Sequence, residues 1–74
     1  MGFKKDDHVI SKSEWSNGKK GIVNKVSDLG IHVKFLEKNM FGEKFIYEIF
    51  RHEVTHRLHS SIQDLELIQT PENI

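Results

Sequence analysis

The chain has no cysteine and one proline among its 74 residues. Without cysteine there is no disulfide framework and no thiolate nucleophile, and the expected setting is reducing and cytoplasmic. No run approaches the roughly 18 apolar residues that a membrane-spanning helix needs, and no basic-then-apolar leader opens the chain, so no membrane partner is expected. Net charge is also lacking, since eleven Lys and Arg balance eleven Asp and Glu. That weighs against strong non-specific binding to nucleic acid. The balance hides an asymmetry. Residues 1–38 hold eight lysines against five acids, and residues 39–74 hold three basic groups against six acids. Lys19, Lys20 and Lys25 form the densest basic stretch, suited to phosphate or to an acidic protein face.

Repeats, low-complexity tracts and linkers are absent as well, so one domain is expected over 1–74, with an ordered core at about 7–69 between loose tails. A chain this short buries a modest core, and its net stability should be on the order of 3–5 kcal/mol.

What is present is a set of short β signals. Ile31, Val33 and Phe35 alternate with His32 and Lys34, the period of a half-buried strand. Asn17-Gly18 and Leu29-Gly30 supply residues that tolerate the positive φ of tight turns. A first strand, HVISKSEW, is expected over His8–Trp15, with Lys12 and Glu14 on the wet side. A second follows over Lys20–Asp28. Val23 and Val26 break its alternation, so a bulge near Asn24 would bring both inside. The third strand should end near Glu37. Lys38–Lys44 then reads as a loop exposing Met40 and Phe41. Phe3 is expected to tuck against the sheet from an otherwise frayed lead-in.

Residues 45–59 carry two patterns. Ile46, Phe50, Val54, Leu58 and Ile62 recur every four residues, as in an amphipathic helix. The same stretch is rich in β-branched and aromatic residues and has no strong cap before it, which favours two strands bent near Arg51-His52. Ser61 and Asp64 stand at capping spacing for one helical turn, Leu65–Ile68 makes a short closing strand, and Pro71 ends the ordered part. The fold expected is all-β, a small SH3-like barrel of five or six short antiparallel strands with one helical turn near 60–64. The alternative is α+β, a three-stranded sheet with a helix at about 44–59.

Val9, Gly18, Gly21, Val23, Val26 and Val33, in the strings DHV, GKKGIV and GIHVKF, resemble the KOW motif of SH3-like barrels. Such domains occur in transcription elongation factors and in a ribosomal protein of the large subunit. The resemblance covers about residues 7–36, and DLELI is similar to the closing strand of these barrels. It implies a tightly turned backbone at Gly21 and partner contacts from the turn at 16–20. The long histidine-bearing segment and the zero net charge depart from the family, and they shift the expected partner from RNA or DNA towards protein.

His52-Glu53-Val54-Thr55-His56 is an HExxH string. On a helix it would place two histidines for zinc with a glutamate to activate water, and His59 or Glu48 would extend that face. A helical register would turn His52 and His56 to solvent, and so small a chain leaves little material for a shaped cleft. His52, His56 and His59 are therefore the metal candidates of a chain otherwise expected to be non-catalytic, with no cofactor and no small-molecule substrate. No Ser/His/Asp arrangement and no Walker-type phosphate loop is present. Trp15, Phe41 and Tyr47 either complete the core or, with Met40, form an apolar contact patch. The function expected is a binding module that docks on a larger protein or nucleoprotein complex through Trp15, Lys19, Lys20, Lys25, Met40, Phe41 and Tyr47. Lone cysteine-free domains of this size, rich in Lys, Ile and Asn, are also similar to phage accessory proteins that modulate a host enzyme.

Overall fold

The computed structural model describes residues 2–68. The expected tail from Thr70, with the Pro71 stop, lies outside the described residues. Six strands form one sheet: β1 (His8–Ser11), β2 (Lys20–Val26), β3 (Gly30–Asn39), β4 (Gly42–Arg51), β5 (Ser60–Ser61) and β6 (Leu65–Leu67). Their order across the sheet is β5-β4-β3-β2-β1-β6. A 3-10 turn, Ile62–Asp64, joins the two outermost strands, so the sheet curls into a nearly closed barrel. Closing a sheet on itself hides most of its edges, which suits so short a chain. The fold is thus the expected small SH3-like β-barrel, and no helix stands at 44–59. Among the described residues no helix is long and apolar enough to cross a membrane.

The alternation of β3 sets the interior. Ile31, Val33 and Phe35 are buried, joined by Val9, Val23, Phe50 and Leu65. Phe35 and Phe50 meet edge to face, their ring centres 6.5 Å apart. Phe3 and Ile62 pack against this cluster. The lead-in is tied down rather than frayed, because the Asp6 amide donates to the Val23 carbonyl at 2.8 Å and the Val23 amide to the Asp7 carbonyl at 2.9 Å. Ser61 caps the 3-10 turn as its spacing implies, its hydroxyl accepting from the Gln63 amide at 3.1 Å.

Several boundaries depart from the sequence reading. β1 stops at Ser11, and Trp15 sits in the turn that follows. The bulge falls between Val23 and Lys25, as expected, but Val26 beyond it stays 46% exposed. There it lines an open concavity with Phe3. β2 itself ends at Val26 rather than Asp28, and β3 runs on past Glu37 to Asn39. The expected loop at 38–44 is only a two-residue tip, Met40-Phe41, between strands of ten residues each. Beyond Arg51 the chain makes bends and turns to His59 instead of another strand, and β5 then pairs with β4 in parallel.

Candidate functional site: a groove beside strand four

The β3–β4 register places Val33 opposite Glu48, Phe35 opposite Ile46 and Ile31 opposite Phe50. A carboxylate therefore enters a face that is otherwise apolar, where a bare charge is costly unless it is hydrogen-bonded. Serines meet it. Ser16 Oγ donates to Glu48 Oε1 at 2.6 Å, Ser13 Oγ donates to Oε2 at 3.0 Å, and Ser60 Oγ also donates to Oε2. A hydroxyl has one proton, so with those of Ser13, Ser16 and Ser60 all committed to Glu48, Ser16 accepts from Ser11 across 2.6 Å. The Ser13 and Ser16 amides donate back into the cluster, to Ser11 Oγ at 3.1 Å and Ser13 Oγ at 3.3 Å. All four serines are buried.

The cluster shapes what lies beside it. Ser13 and Ser16 belong to the turn that carries Trp15, and Ser60 follows Leu58 and His59. One carboxylate on β4 thus fastens two separate chain segments. Between them runs an open groove of about 590 Å³. Trp15 and Lys19 line it from the segment after β1, Leu58 and His59 from the segment before β5, and Phe35 and Ile46 from β3 and β4. That volume falls in the range usual for ligand sites. Lys19 is paired with Glu37 at 3.4 Å, whereas Arg51 has no carboxylate partner among the described residues.

Of the expected contact residues, the structure brings Trp15, Lys19 and Tyr47 to this groove. Trp15 and Tyr47 are 58% and 60% exposed, so they belong to a surface and not to the core. Lys25 lies at another concavity, beside Phe3, and Lys20 at a third, beside His8 and Ile22. The three lysines are therefore no single patch. Met40 and Phe41, 89% and 91% exposed, stand on the hairpin tip.

The HExxH string does not form the helical face its zinc reading needs, because residues 52–59 are bends and turns. Nor do His52, Val54, His56 and Leu58 share a strand face. Among the described residues no three His, Asp or Glu side chains are grouped to hold a metal ion. His56 and His59 do approach, with ring centres 5.5 Å apart. The Leu58 amide donates to His56 Nδ1 at 3.1 Å, a bond that requires that nitrogen to be unprotonated. His59 Nδ1 is buried with no hydrogen-bond partner among the described residues.

Desolvation, then the charge of Arg51, then His56 hold the His59 pKa below its ordinary 6.5. The unfolded chain therefore binds the proton first, and stability should fall as pH drops through 6.5 towards the folded value. Melting temperature is expected to decline from pH 7.5 to pH 5, and His59→Gln should flatten that decline. An unchanged slope in the variant would contradict the assignment.

Glu48, Ser16, Ser60, Arg51 and Leu58 are site residues that the sequence reading missed. Glu48 entered it only as an extension of the histidine stripe. No family model, curated protein or solved structure matches this chain.

Proposed function

We propose that the protein is a non-catalytic binding module that docks onto a protein component of a larger complex through the groove beside β4. The observation that carries this reading is the company of Trp15, Tyr47 and Arg51 around one open concavity. These are the residue types that dominate binding energy at protein interfaces. Half-exposed aromatics held in place, Tyr47 on β4 and Trp15 in a turn fastened through Ser13 and Ser16, lose little entropy when a partner covers them. The resemblance to KOW domains favours transcription or translation machinery as the larger complex. The similarity to phage accessory proteins favours, within that reading, an accessory protein that modulates a host enzyme.

Panning a random peptide library tests the reading. Enriched peptides should lose about tenfold or more in affinity on Trp15→Ala or Tyr47→Ala, the size of effect typical of a hot-spot side chain. Selected peptides that bind the double variant as tightly as the native protein would refute it.

A second reading has its own observation. On the outer face of strands β1 to β4 the registers place Lys20, Lys25, Lys34, Lys38 and Arg51 against a single acid, Glu43. Lys34 lies 5.2 Å from the centre of the exposed Phe45 ring, beside Tyr47. A cationic sheet with exposed rings suits single-stranded nucleic acid, which stacks bases on aromatics and pairs phosphates with lysines. Affinity for an oligonucleotide would then fall steeply between low and physiological salt, whereas a groove-bound peptide should respond little.

A further inference from the structure

We propose that the groove takes its partner by strand addition: an extended polypeptide segment, apolar where it lines the groove and acidic where it faces Arg51, pairs with the open edge of β4. This rests on the reading of the groove as the docking site, and adds to it the mode of recognition and the chemistry of the occupant.

β4 is paired with β3 along its whole length, from Gly42 opposite Asn39 to Arg51 opposite Gly30. On its other side it meets β5 only at Phe50–Ser60 and Arg51–Ser61. From Gly42 to Ile49 that edge has no strand neighbour among the described residues, a length of roughly 27 Å at the usual rise of a strand. In a sheet, alternate residues turn their N–H and C=O groups away from a given neighbour, so this edge presents a row of backbone donors and acceptors.

The groove lies on that edge. Ile46, Tyr47, Glu48 and Ile49 are consecutive, so their side chains alternate between the two faces of the sheet, yet all four line it. Only a groove running along the margin of the strand touches both faces. β5 shows that the margin accepts a strand, and an incoming segment would lie along the same side.

The side chains define what fits. On the inner side the occupant meets Ile46 of β4 and Trp15 from the turn after β1, an apolar surface. Glu48 shares that face, but its oxygens are taken up by three serine hydroxyls and ask for no cation. On the outer face the occupant meets Tyr47 and Ile49 and, at the end that borders β5, Arg51, the groove cation without a carboxylate among the described residues, since Lys19 is paired with Glu37; Phe45 and Glu43 continue that row towards the hairpin tip. Successive residues of an added strand point to opposite faces, so a segment with apolar residues against Ile46 and Trp15 and an acidic residue beside Arg51 satisfies both at once.

Trp15 is the only tryptophan and stands in the groove wall, so its emission reports occupancy directly. The probe is an acetylated, amidated octapeptide alternating valine and glutamate. Its companions alternate valine and lysine, or carry N-methyl groups on the valines only or on the glutamates only. The acidic peptide should shift Trp15 emission saturably and slow amide exchange along β4. One N-methylated peptide should lose about tenfold or more in affinity while the other is nearly unaffected, because an added strand uses one of its two edges. Equal binding by both N-methylated peptides would overturn strand addition and leave the docking site standing. Equal binding by the lysine peptide would overturn the acidic occupant. So would no binding by any octapeptide while library-selected peptides still depend on Trp15 and Tyr47. Trp15 emission that depends on protein concentration without peptide would assign the edge to a second copy of the chain, and overturn the proposal. If library peptides bind independently of Trp15 and Tyr47, the docking site itself is wrong.

Discussion

Glu48→Leu is expected to leave much of the protein unfolded at room temperature. The leucine fits an apolar face, but it strips the acceptor from the hydroxyls of Ser13, Ser16 and Ser60. A buried donor left unmade costs about 1–3 kcal/mol, and three of them, discounted for partial exposure, amount to about 3–5 kcal/mol. A domain of this size has on the order of 3–5 kcal/mol to lose. Glu48→Gln should cost about 1–2 kcal/mol, because the amide oxygen still accepts and the serine hydroxyls can rotate to accept from its NH₂. Urea unfolding followed by Trp15 emission measures both. A leucine variant within about 1 kcal/mol of the native protein would show that the cluster is ornamental. The two variants also separate shape from stability, since both groove walls hang on this side chain. A folded Glu48→Gln protein should retain peptide binding.

Gly30→Ala should be nearly as damaging, chiefly because a side chain there meets the backbone of β4. A Cβ there would fall onto the Phe50 carbonyl oxygen and lie 2.8 Å from the Arg51 Cα. Both neighbours are backbone atoms of a strand held in register over ten residue pairs, so neither can give way cheaply. The expected cost is about 2–4 kcal/mol. Gly21→Ala meets a similar obstacle, with the Lys34 carbonyl oxygen and Phe35 Cδ1 each at 2.7 Å. Gly18→Ala is the control. Open space surrounds it, and only its φ of 84° resists, worth about 1 kcal/mol. A melting series in which Gly18→Ala is the worst of the three would contradict the packing at β2, β3 and β4.

These variants also mark where the residues announced the structure and where they did not. The alternation of Ile31, Val33 and Phe35 announced β3 because all three face one core, and Ser61 announced its cap because the signal is local. Gly30 was legible as a turn residue, but its real constraint is the approach of β4, which lies twenty residues along the chain. β4 itself was ambiguous for a definite reason. Its inward positions are Ile46, Glu48 and Phe50, so the charge of Glu48 interrupts the period of two and leaves Ile46 and Phe50 at the spacing of a helix. The partners that explain that charge, Ser13, Ser16 and Ser60, stand 35, 32 and 12 residues away. Serines so placed read as wet turn residues. HExxH misled in the opposite way, as a compact string whose chemistry requires a helix that the chain does not form. Trp15 and Tyr47 were legible as candidates, because large aromatics flanked by turn and charged residues often serve contacts. Their meeting in one groove required the fold.

The outer sheet face and the groove make different demands on the same molecule, and a single spectrum separates them. Backbone amide shifts of the ¹⁵N-labelled protein, followed during titration with a library-selected peptide, test the central claim most directly. The expected result is a set of saturating shifts at the Trp15 indole, at Ser16 and Lys19, along Ile46–Ile49 and at Leu58–Ser60, with Lys20 and Lys25 unmoved. Shifts that gather instead around Lys20, Lys25 and Lys34, with Trp15 silent, would contradict the groove as the working surface of this protein.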